Sequence, residues 1–205
     1  MDIHLIGPDA FIVEFATSER AISGFNHLKK EISHLLDEVI LGASTIVVKP
    51  TRYSGVTKEG IAEILKSAKF EEGGPEQKEV EIPTVYDGQD LKDVASHLRL
   101  SVREVIDMHC AETYTVSFIG FAPGFAYLTG LNPYLKVPRL SSPRAQVPKG
   151  SVAIAENYSA VYPNSSPGGW RLIGRTAVEL WDISATEPAI LHPGYKVRFV
   201  ERRFK

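Results

Sequence analysis

The sequence predicts an α+β chain with a smaller N-terminal α/β part and a C-terminal β-barrel or β-sandwich. Apolar residues recur at steps of three and four between positions 22 and 39 and again after Thr57, which indicates amphipathic helices in the first part. From position 114 onward the strand-like runs are short, and seven of the 13 prolines and seven of the 16 glycines lie within 120–174. Many short strands separated by Gly and Pro favour a barrel or a sandwich.

Composition and charge exclude several classes of protein. The 205 residues are 43% apolar and 23% charged, with a net charge of −2, which excludes disordered, collagen-like and disulfide-rich chains. No overall basic excess predicts binding to nucleic acid or to an anionic membrane. The single cysteine, the absence of a signal-like N-terminus and the lack of an apolar run of about 20 residues predict a cytoplasmic protein.

Charge is distributed unevenly along the chain. Residues 1–138 carry 13 Lys/Arg and 20 Asp/Glu, whereas residues 139–205 carry 10 Lys/Arg and 5 Asp/Glu. This asymmetry suits a site for small anions in the C-terminal part. Random scatter combined with a basic tail explains it equally well.

The N-terminal elements follow from local patterns. Residues 11–15 are typical of a strand, and a helix follows with Thr17 or Ser18 as its N-cap. Residues 39–49 have β character, and Thr57 can cap a second helix. With a last strand at 80–86, this order fits a split β-α-β-β-α-β sandwich.

A polar stretch at 71–78 separates the two parts. Its Glu, Gly and Pro residues are typical of a linker, and we place the boundary near Gly73-Gly74. The predicted domains are an N-terminal α/β domain at 1–76 and a barrel domain at 77–205. Limited proteolysis is expected to cut first at this boundary, leaving a C-terminal fragment of common domain size.

Two short helices and five strands are expected after the linker. Asp90 can cap a helix over 91–98, and Ser101 with Glu104 forms a capping box for the next helix. His109, near the end of that second helix, is a candidate pocket residue, but a cation favoured by the helix dipole explains it better. The expected strands span 114–119, 151–155, 159–162, 177–181 and 196–200.

Residues 120–128 form a predicted loop that carries aromatic side chains. Phe121, Phe125 and Tyr127 alternate with glycine, alanine and proline after a strand. Such side chains can wall a ligand pocket. The alternative is a loop that folds back over the barrel core.

Several cationic residues lie next to proline or glycine. Arg144 follows a proline, which stiffens the backbone before it, and a stiff guanidinium suits a carboxylate or phosphate. Lys149-Gly150-Ser151 has the wrong residue order for a phosphate-binding loop. Arg175 follows the Gly168-Gly169-Trp170 turn and is the best candidate for a fixed cation, although it can instead tie down turn carbonyls.

The sequence contains no evident catalytic nucleophile or activated base. A Gly-x-Ser-x-Gly elbow is absent, and no Cys/His spacing predicts a zinc site. His109 and Cys110 are adjacent, so a helix would point them about 100° apart. A protein that positions substrate while a partner supplies the chemistry is consistent with this gap.

Six motifs occur in order in the C-terminal part of the sequence. They are Gly-Phe-Ala-Pro-Gly-Phe-Ala-Tyr-Leu at 120–128, Pro-Arg at 138–139 and 143–144, Val-Pro-Lys-Gly-Ser-Val at 147–152, Tyr-Pro at 162–163, Ser-Pro-Gly-Gly-Trp at 166–170 and Gly-Arg-Thr at 174–176. Together they resemble the family of 5-oxoprolinase B subunits, which is also called allophanate hydrolase subunit 1 and includes the Kip-type inhibitors of sporulation kinases. The resemblance is strong over 82–200 and extends to 1–75 only in layout.

The resemblance implies a cyclophilin-like barrel and a role in a larger enzyme. In that role the chain works with two partners, the cyclophilin-like C subunit and the A subunit of the same enzyme, to convert 5-oxoproline to glutamate at the expense of ATP. We expect ATP to act in the complex rather than to bind this chain alone. No metal is expected, and the isolated chain is expected to be inactive.

The expected substrate pocket lies in the barrel. Arg144, Lys149 and Arg175 would hold a carboxylate or phosphate, while Phe121, Phe125 and Trp170 would exclude water and so strengthen the charge contacts. The full set of expected substrate-binding residues is Phe121, Phe125, Arg144, Lys149, Ser151, Tyr162, Ser166, Gly168, Gly169, Trp170 and Arg175.

Other functions remain open within the same resemblance. The chain can instead be a regulatory protein that binds and inhibits a sensor histidine kinase. It can also belong to an allophanate- or urea-type amidohydrolase or carboxyltransferase as one of its subunits. A peptidyl-prolyl isomerase rests on fold analogy alone.

Overall fold

The computed structural model describes residues 1–68 and 78–202 and confirms the α+β class. The chain divides into two compact units, Met1–Gln77 and Lys78–Lys205. The predicted boundary at Gly73-Gly74 and most of the predicted linker lie outside the described residues, so the proteolytic cut there stays a prediction. No helix within the described ranges is long and apolar enough to cross a membrane.

The N-terminal unit is a four-stranded antiparallel sheet with two helices. The sheet order is β1-β2-β4-β3. Thr17 caps the first helix and Thr57 the second, each through a side-chain oxygen that accepts a backbone N–H three residues on, as predicted. The elements are β1 Asp2–Ile6, β2 Ala10–Glu14, α1 Ser18–Ile32, β3 Leu36–Leu41, β4 Thr45–Pro50 and α2 Lys58–Ser67, with a short 3-10 helix at Ser33–Leu35.

The connectivity of this unit differs from the predicted split β-α-β-β-α-β sandwich. Its first strand, β1, was not predicted, although the Gly7-Pro8 turn that follows is a hairpin signal. The predicted last strand at 80–86 belongs instead to the sheet of the C-terminal unit. Local alternation indicates a strand but does not say which sheet it joins, because that depends on partners far along the chain.

The C-terminal unit is a seven-stranded sheet with two helices and a separate two-stranded ribbon. The sheet order is β12-β9-β10-β7-β6-β13-β5, and the ribbon pairs β8 with β11. All pairs are antiparallel except β5 with β13. The elements are β5 Glu79–Thr84, α3 Leu91–Leu98, α4 Val102–Ala111, β6 Tyr114–Ile119, β7 Ala126–Thr129, β8 Arg144–Val147, β9 Ser151–Ala155, β10 Tyr158–Val161, β11 Ser166–Gly168, β12 Arg171–Arg175 and β13 Lys196–Glu201.

The two ends of the seven-stranded sheet meet and close it into a barrel. Val85, just after β5, and Arg175, at the end of β12, exchange two backbone hydrogen bonds of 2.8 Å. Gly88 and Asp90 continue the contact by donating their N–H groups to carbonyls of β12. We call residues 85–90 packed along β12 the seam. The closure confirms the predicted barrel and removes the open sheet edges.

Local predictions in this unit hold for the two helices and for the strands near 114–119, 151–155, 159–162 and 196–200, with three corrections, and the ribbon strands β8 and β11 are not among the expected strands. The capping box of Ser101 and Glu104 is present before α4. Asp90 precedes α3 as predicted but makes no capping bond there, because its carboxylate is used at the seam. Residues 177–181 are not a strand, since only Trp181 forms an isolated bridge, and the predicted loop at 120–128 ends early because β7 starts at Ala126.

Both faces of the barrel wall are buried around β9. Val152 and Ile154 point into the barrel interior, which Leu128, Val197 and other apolar side chains fill. Ala153 and Ala155 point outward into a second apolar cluster beneath aromatic rings. Because side chains pack the interior, a ligand of this unit would have to bind on the outside of the barrel.

Candidate functional site

The expected substrate-binding residues fall into three neighbourhoods of the C-terminal unit. Phe121 and Phe125 lie in the β6–β7 loop, and Phe125 contacts both Tyr162 and Trp170. Lys149 and Ser151 lie at the start of β9, where Ser151 pairs in register with Arg175 of β12. The ribbon holds the remaining four, Arg144, Ser166, Gly168 and Gly169, the last just beyond β11.

The aromatic residues form a packed layer on the outer face of the barrel. The Phe125 ring centroid lies 5.2 Å from that of Tyr162 and 5.6 Å from that of Trp170, both edge-on. All three side chains are at most 4% exposed. They cover the alanines of β9 and β10, so their rings fill this space with apolar contacts rather than line an open pocket.

The glycine of the ribbon is required by this layer. A Cβ on Gly168 would lie 2.3 Å from the Tyr162 hydroxyl oxygen. That hydroxyl also forms a hydrogen bond with the backbone of Trp170, and burial raises the pKa of Tyr162 above its ordinary value. Gly168 therefore permits the ribbon to approach the barrel wall, as the turn composition predicted, but the approaching group is part of this chain.

Phe121 differs from its neighbours because its ring points outward. It is 62% exposed, and its backbone is left-handed, with φ of 69°. A left-handed backbone is costly for a residue with a side chain. Hydrogen bonds between Gly120 and Phe125 and between Phe125 and Ala122 close the loop around it. The loop thus holds one aromatic ring out from the barrel surface.

Each of the three expected anion-binding cations contacts a carboxylate of this chain. Arg144 Nη2 donates to Asp90 Oδ1 at 2.6 Å, and Arg175 Nε donates to both oxygens of Asp87 at 2.9 and 3.1 Å. Lys149 pairs with Glu179. Binding of an external anion by these side chains stays a prediction, and it requires exchange of an existing partner.

The Arg144–Asp90 pair differs from the other two in its burial. Their side chains are 22% and 6% exposed. Arg144 also donates to the carbonyl of Trp170, and Asp90 Oδ2 accepts the N–H of Leu172 at 2.7 Å. This pair joins the ribbon to the seam. The Arg175–Asp87 pair also bridges the seam but is exposed, and exposed pairs contribute little to stability.

The two serines of the expected site, Ser151 and Ser166, have ordinary surroundings. Ser151 Oγ donates to the carbonyl of Pro148 at 2.8 Å, and Ser166 Oγ makes no hydrogen bond among the described residues. Gly169 accepts a backbone N–H from Leu140 at 2.7 Å. Within the described part of the chain, neither hydroxyl is hydrogen-bonded to a histidine or a carboxylate that would activate it as a nucleophile.

His109 is buried and does not act as the helix C-terminal cation that the sequence predicted. Its Nδ1 is hydrogen-bonded to the Tyr86 hydroxyl at 2.7 Å, and its Nε2 is hydrogen-bonded to Ser159 Oγ at 2.9 Å. Burial lowers the pKa of His109 to about 3, so the imidazole is neutral near pH 7. The sequence could not reveal this, because Ser159 lies 50 residues away.

A cleft outside the expected site lies between α3, Val137 and the start of β12. Its volume is about 200 Å³, and its lining consists of Asp93, Val94, His97, Val137 and Arg171. Arg171 Nε donates to the carbonyl of Pro138 at 3.3 Å. None of these residues was among the sequence-based site predictions. The i, i+4 spacing of Asp93 and His97 was the available signal, since it places both on one side of a helix.

Comparison with known proteins confirms the family resemblance found in the motifs. Residues 1–191 match the family described as carboxyltransferase domain, subdomain C and D. Curated 5-oxoprolinase B subunits are 46% identical in Escherichia coli O157:H7 over 63% of this chain and 47% identical in Bacillus subtilis over 59%. The aligned parts span only 61% and 52% of those two proteins.

Solved structures share the fold. The chain superposes on TTHA0988 with a TM-score of 0.86 and 31% identity, covering 97% of this chain and 40% of that one. A conserved uncharacterized protein from Pyrococcus horikoshii is 34% identical with a TM-score of 0.59, covering 98% of this chain and 97% of that one. The urea carboxylase of Kluyveromyces lactis shares the fold at 17% identity, with a TM-score of 0.74, over 98% of this chain and 22% of that one.

Proposed function

Since this chain belongs to the family of carboxyltransferase domains, subdomains C and D, we propose that it is one component of an ATP-dependent 5-oxoprolinase. In this function it works with the cyclophilin-like C subunit and the A subunit of that enzyme. The overall reaction hydrolyses the lactam amide of 5-oxoproline to give glutamate, and hydrolysis of ATP drives it.

One observation carries the proposal. Three curated 5-oxoprolinase B subunits are 44–47% identical to this chain. The alignments span 59–63% of this chain, and the strongest sequence motifs lie in the barrel unit. The similarity to urea carboxylase supports the fold, and the activity rests on the curated relatives.

The structure supports a positioning role for this chain within the complex. Its three expected cations are engaged in ion pairs and its buried rings in packing, and His109 is held neutral between two hydroxyl groups. We expect ATP to bind in the assembled enzyme rather than to this chain alone. The lone chain is accordingly expected to hydrolyse neither ATP nor 5-oxoproline.

Reconstitution tests the proposal directly. The chain is co-expressed with the A and C subunits, and ATP hydrolysis is measured with and without 5-oxoproline, with glutamate formation as the second readout. We expect 5-oxoproline-dependent ATP hydrolysis only when all three proteins are present. Full activity of the A and C subunits without this chain, or turnover by this chain alone, would contradict it.

The same preparation of the chain also tests the alternative function, inhibition of a sensor histidine kinase. A sensor histidine kinase is assayed for autophosphorylation with a molar excess of the chain. Under the proposal, autophosphorylation is unchanged. Inhibition together with no activity in the reconstituted complex would assign the chain to the regulatory class.

A further inference from the structure

We propose that the cleft lined by Asp93, Val94, His97, Val137 and Arg171 binds a small carboxylic acid that also carries an N–H donor. We call it the α3–β12 cleft. The inference deepens the proposed function and rests on it for the choice of 5-oxoproline as the first probe. The chemistry of the cleft itself sets the class of ligand.

The polar groups of the cleft differ from the three cations that the sequence predicts to bind an anion. Within residues 1–68 and 78–202, the Asp93 carboxylate, the His97 imidazole and both Nη atoms of Arg171 have no hydrogen bond or ion pair. Arg144, Lys149 and Arg175, by contrast, each contact a carboxylate of the chain. The cleft thus presents a half-buried cation together with an exposed carboxylate and an exposed imidazole, none of whose charged or ring atoms is paired within the described residues except Arg171 Nε.

The backbone holds these groups toward one space. Asp93 and His97 are four residues apart on α3, so they lie on the same side of the helix. Arg171 is half-buried, and the Pro138 carbonyl holds its Nε. This contact leaves the two terminal nitrogens as the donors available at the cleft, and a guanidinium held in this way is oriented before a ligand arrives.

The groups select the chemistry of the ligand. Guanidinium donors match the two oxygens of a carboxylate, and the Asp93 carboxylate accepts an N–H. Buried Val94 and Val137 supply apolar walls for a carbon skeleton. A molecule with a carboxylate at one end and an N–H a few bonds away satisfies both charged groups, as do a lactam acid and an amino acid.

Size and charge exclude other anions. The volume of about 200 Å³ is below the roughly 300–1,000 Å³ typical of sites for drug-sized ligands, so a nucleotide does not fit. The negative charge of Asp93 disfavours phosphate, because phosphate carries more negative charge near neutral pH than a single carboxylate does. An acid with a single carboxylate and an N–H donor remains the favoured class.

Calorimetric titration of the full chain tests the site with four probes. These are 5-oxoproline, proline, cyclopentanecarboxylate and inorganic phosphate. We expect 5-oxoproline and proline to bind, cyclopentanecarboxylate to bind more weakly because it lacks the N–H, and phosphate not to bind. Failure of both N–H-bearing acids to bind, to the chain alone and to the reconstituted complex, overturns the proposal.

Three variants assign the contacts. Arg171→Ala is expected to weaken 5-oxoproline binding at least about tenfold, since a hydrogen bond to a charged group contributes that much or more, and Arg171→Lys restores part of the loss. Asp93→Ala should reduce the preference for 5-oxoproline over cyclopentanecarboxylate, because it removes the oxygens that accept the N–H. Lys92→Ala is the matched control, because it removes a positive charge from α3 without lining the cleft.

Each result decides either for or against the site. Thermal unfolding of every variant shows whether the fold is intact. Equal affinities for 5-oxoproline in wild type and folded Arg171→Ala overturn the assignment. An unchanged preference for 5-oxoproline over cyclopentanecarboxylate in folded Asp93→Ala overturns it as well. If the complex turns over 5-oxoproline and Arg171→Ala leaves its KM unchanged, the site fails and the proposed function stands. If the cleft binds the acid but the complex is inactive, the proposed function fails and the site stands.

Discussion

The buried ion pair at the seam offers a sharp test of what holds the barrel closed. Asp90→Ala removes the carboxylate that accepts from both Arg144 and the N–H of Leu172. Breaking a buried pair by removing one partner costs about 3–5 kcal/mol, because the other charge stays buried and unpaired. The Arg144 side chain is 22% exposed, so water can partly solvate its charge once Asp90 is removed. We therefore expect the free energy of unfolding to fall by about 3 kcal/mol, near the lower limit of this range.

The expected loss is large enough to measure by two methods. For a unit of roughly 130 residues, 1 kcal/mol shifts the melting temperature by about 4 °C, so Asp90→Ala is expected to lower Tm by about 12 °C. Urea unfolding followed by circular dichroism gives the free energy of unfolding independently. Agreement between the two methods is expected if the unit unfolds in a two-state manner.

Asp87→Ala is the matched control for this experiment. It breaks the other ion pair of the seam, Arg175–Asp87, whose side chains are 56% and 44% exposed. Exposed pairs contribute about 1 kcal/mol or less. The two variants therefore remove the same type of group from the same segment and differ in burial.

A double variant separates the pair from other effects of the substitution. Asp90→Ala combined with Arg144→Leu removes both charges, so it is expected to be less destabilised than the sum of the two single variants by at least about 1 kcal/mol. A loss below about 1 kcal/mol in Asp90→Ala, similar to that of Asp87→Ala, refutes the reasoning. Strict additivity in the double variant refutes it as well.

Three further predictions concern packing and pH. Gly88→Ala would place a Cβ 2.4 Å from backbone atoms of β12, so we expect it to lower the free energy of unfolding by at least about 2 kcal/mol. Gly60→Ala is the control, because its Cβ would meet the nearest neighbour at 3.6 Å, and it should be neutral or stabilising. Equal effects of the two substitutions would contradict this reasoning. Phe125→Ala is expected to cost about 3–5 kcal/mol, since the ring is fully buried, whereas Phe121→Ala at its exposed position should cost less than about 1 kcal/mol in the same urea titration. His109 has a folded-state pKa of about 3, below the ~6.5 of an unfolded chain, so only the unfolded state takes up a proton as the pH falls from about 6.5. Between about pH 6.5 and about pH 3, the free energy of unfolding should then decrease by up to about 1.4 kcal/mol for each unit by which the pH falls. His109→Gln should lack that contribution, and an identical pH dependence of wild type and variant would show that it does not exist.

The ion pairs at the seam also bear on the predicted anion site. If Arg144 bound a substrate carboxylate, it would first have to leave Asp90, and that exchange would leave Asp90 buried beside the N–H of Leu172 alone. The α3–β12 cleft requires no such exchange, because Arg171 contacts only a carbonyl among the described residues. Because of this difference in the cost of desolvation, we place the proposed ligand site at Arg171 rather than at the cations that the sequence predicts.

Local patterns in the sequence determined where the four described helices begin and most of the described strands. The predicted stripe of the first helix runs to Val39, but that helix ends at Ile32 and β3 follows at Leu36–Leu41. Thr17, Thr57 and Ser101 accept backbone N–H groups within three residues, so their capping role can be read directly from neighbours in the chain. The family was likewise determined by short ordered motifs. These features depend on contacts within a few residues, which a linear sequence displays.

Tertiary structure alone decided which groups meet. β5 joins the barrel by pairing with β13, more than a hundred residues later, and Asp90 and Asp87 meet Arg144 and Arg175 across 54 and 88 residues. The residue types indicated charge and turn geometry, but the partner of each charge depends on closure of the barrel. Closure brings the segment after β5 against β12. This long-range pairing is the physical reason that Arg144 and Arg175 form ion pairs with Asp90 and Asp87 at the seam, whereas Arg171 lines the cleft.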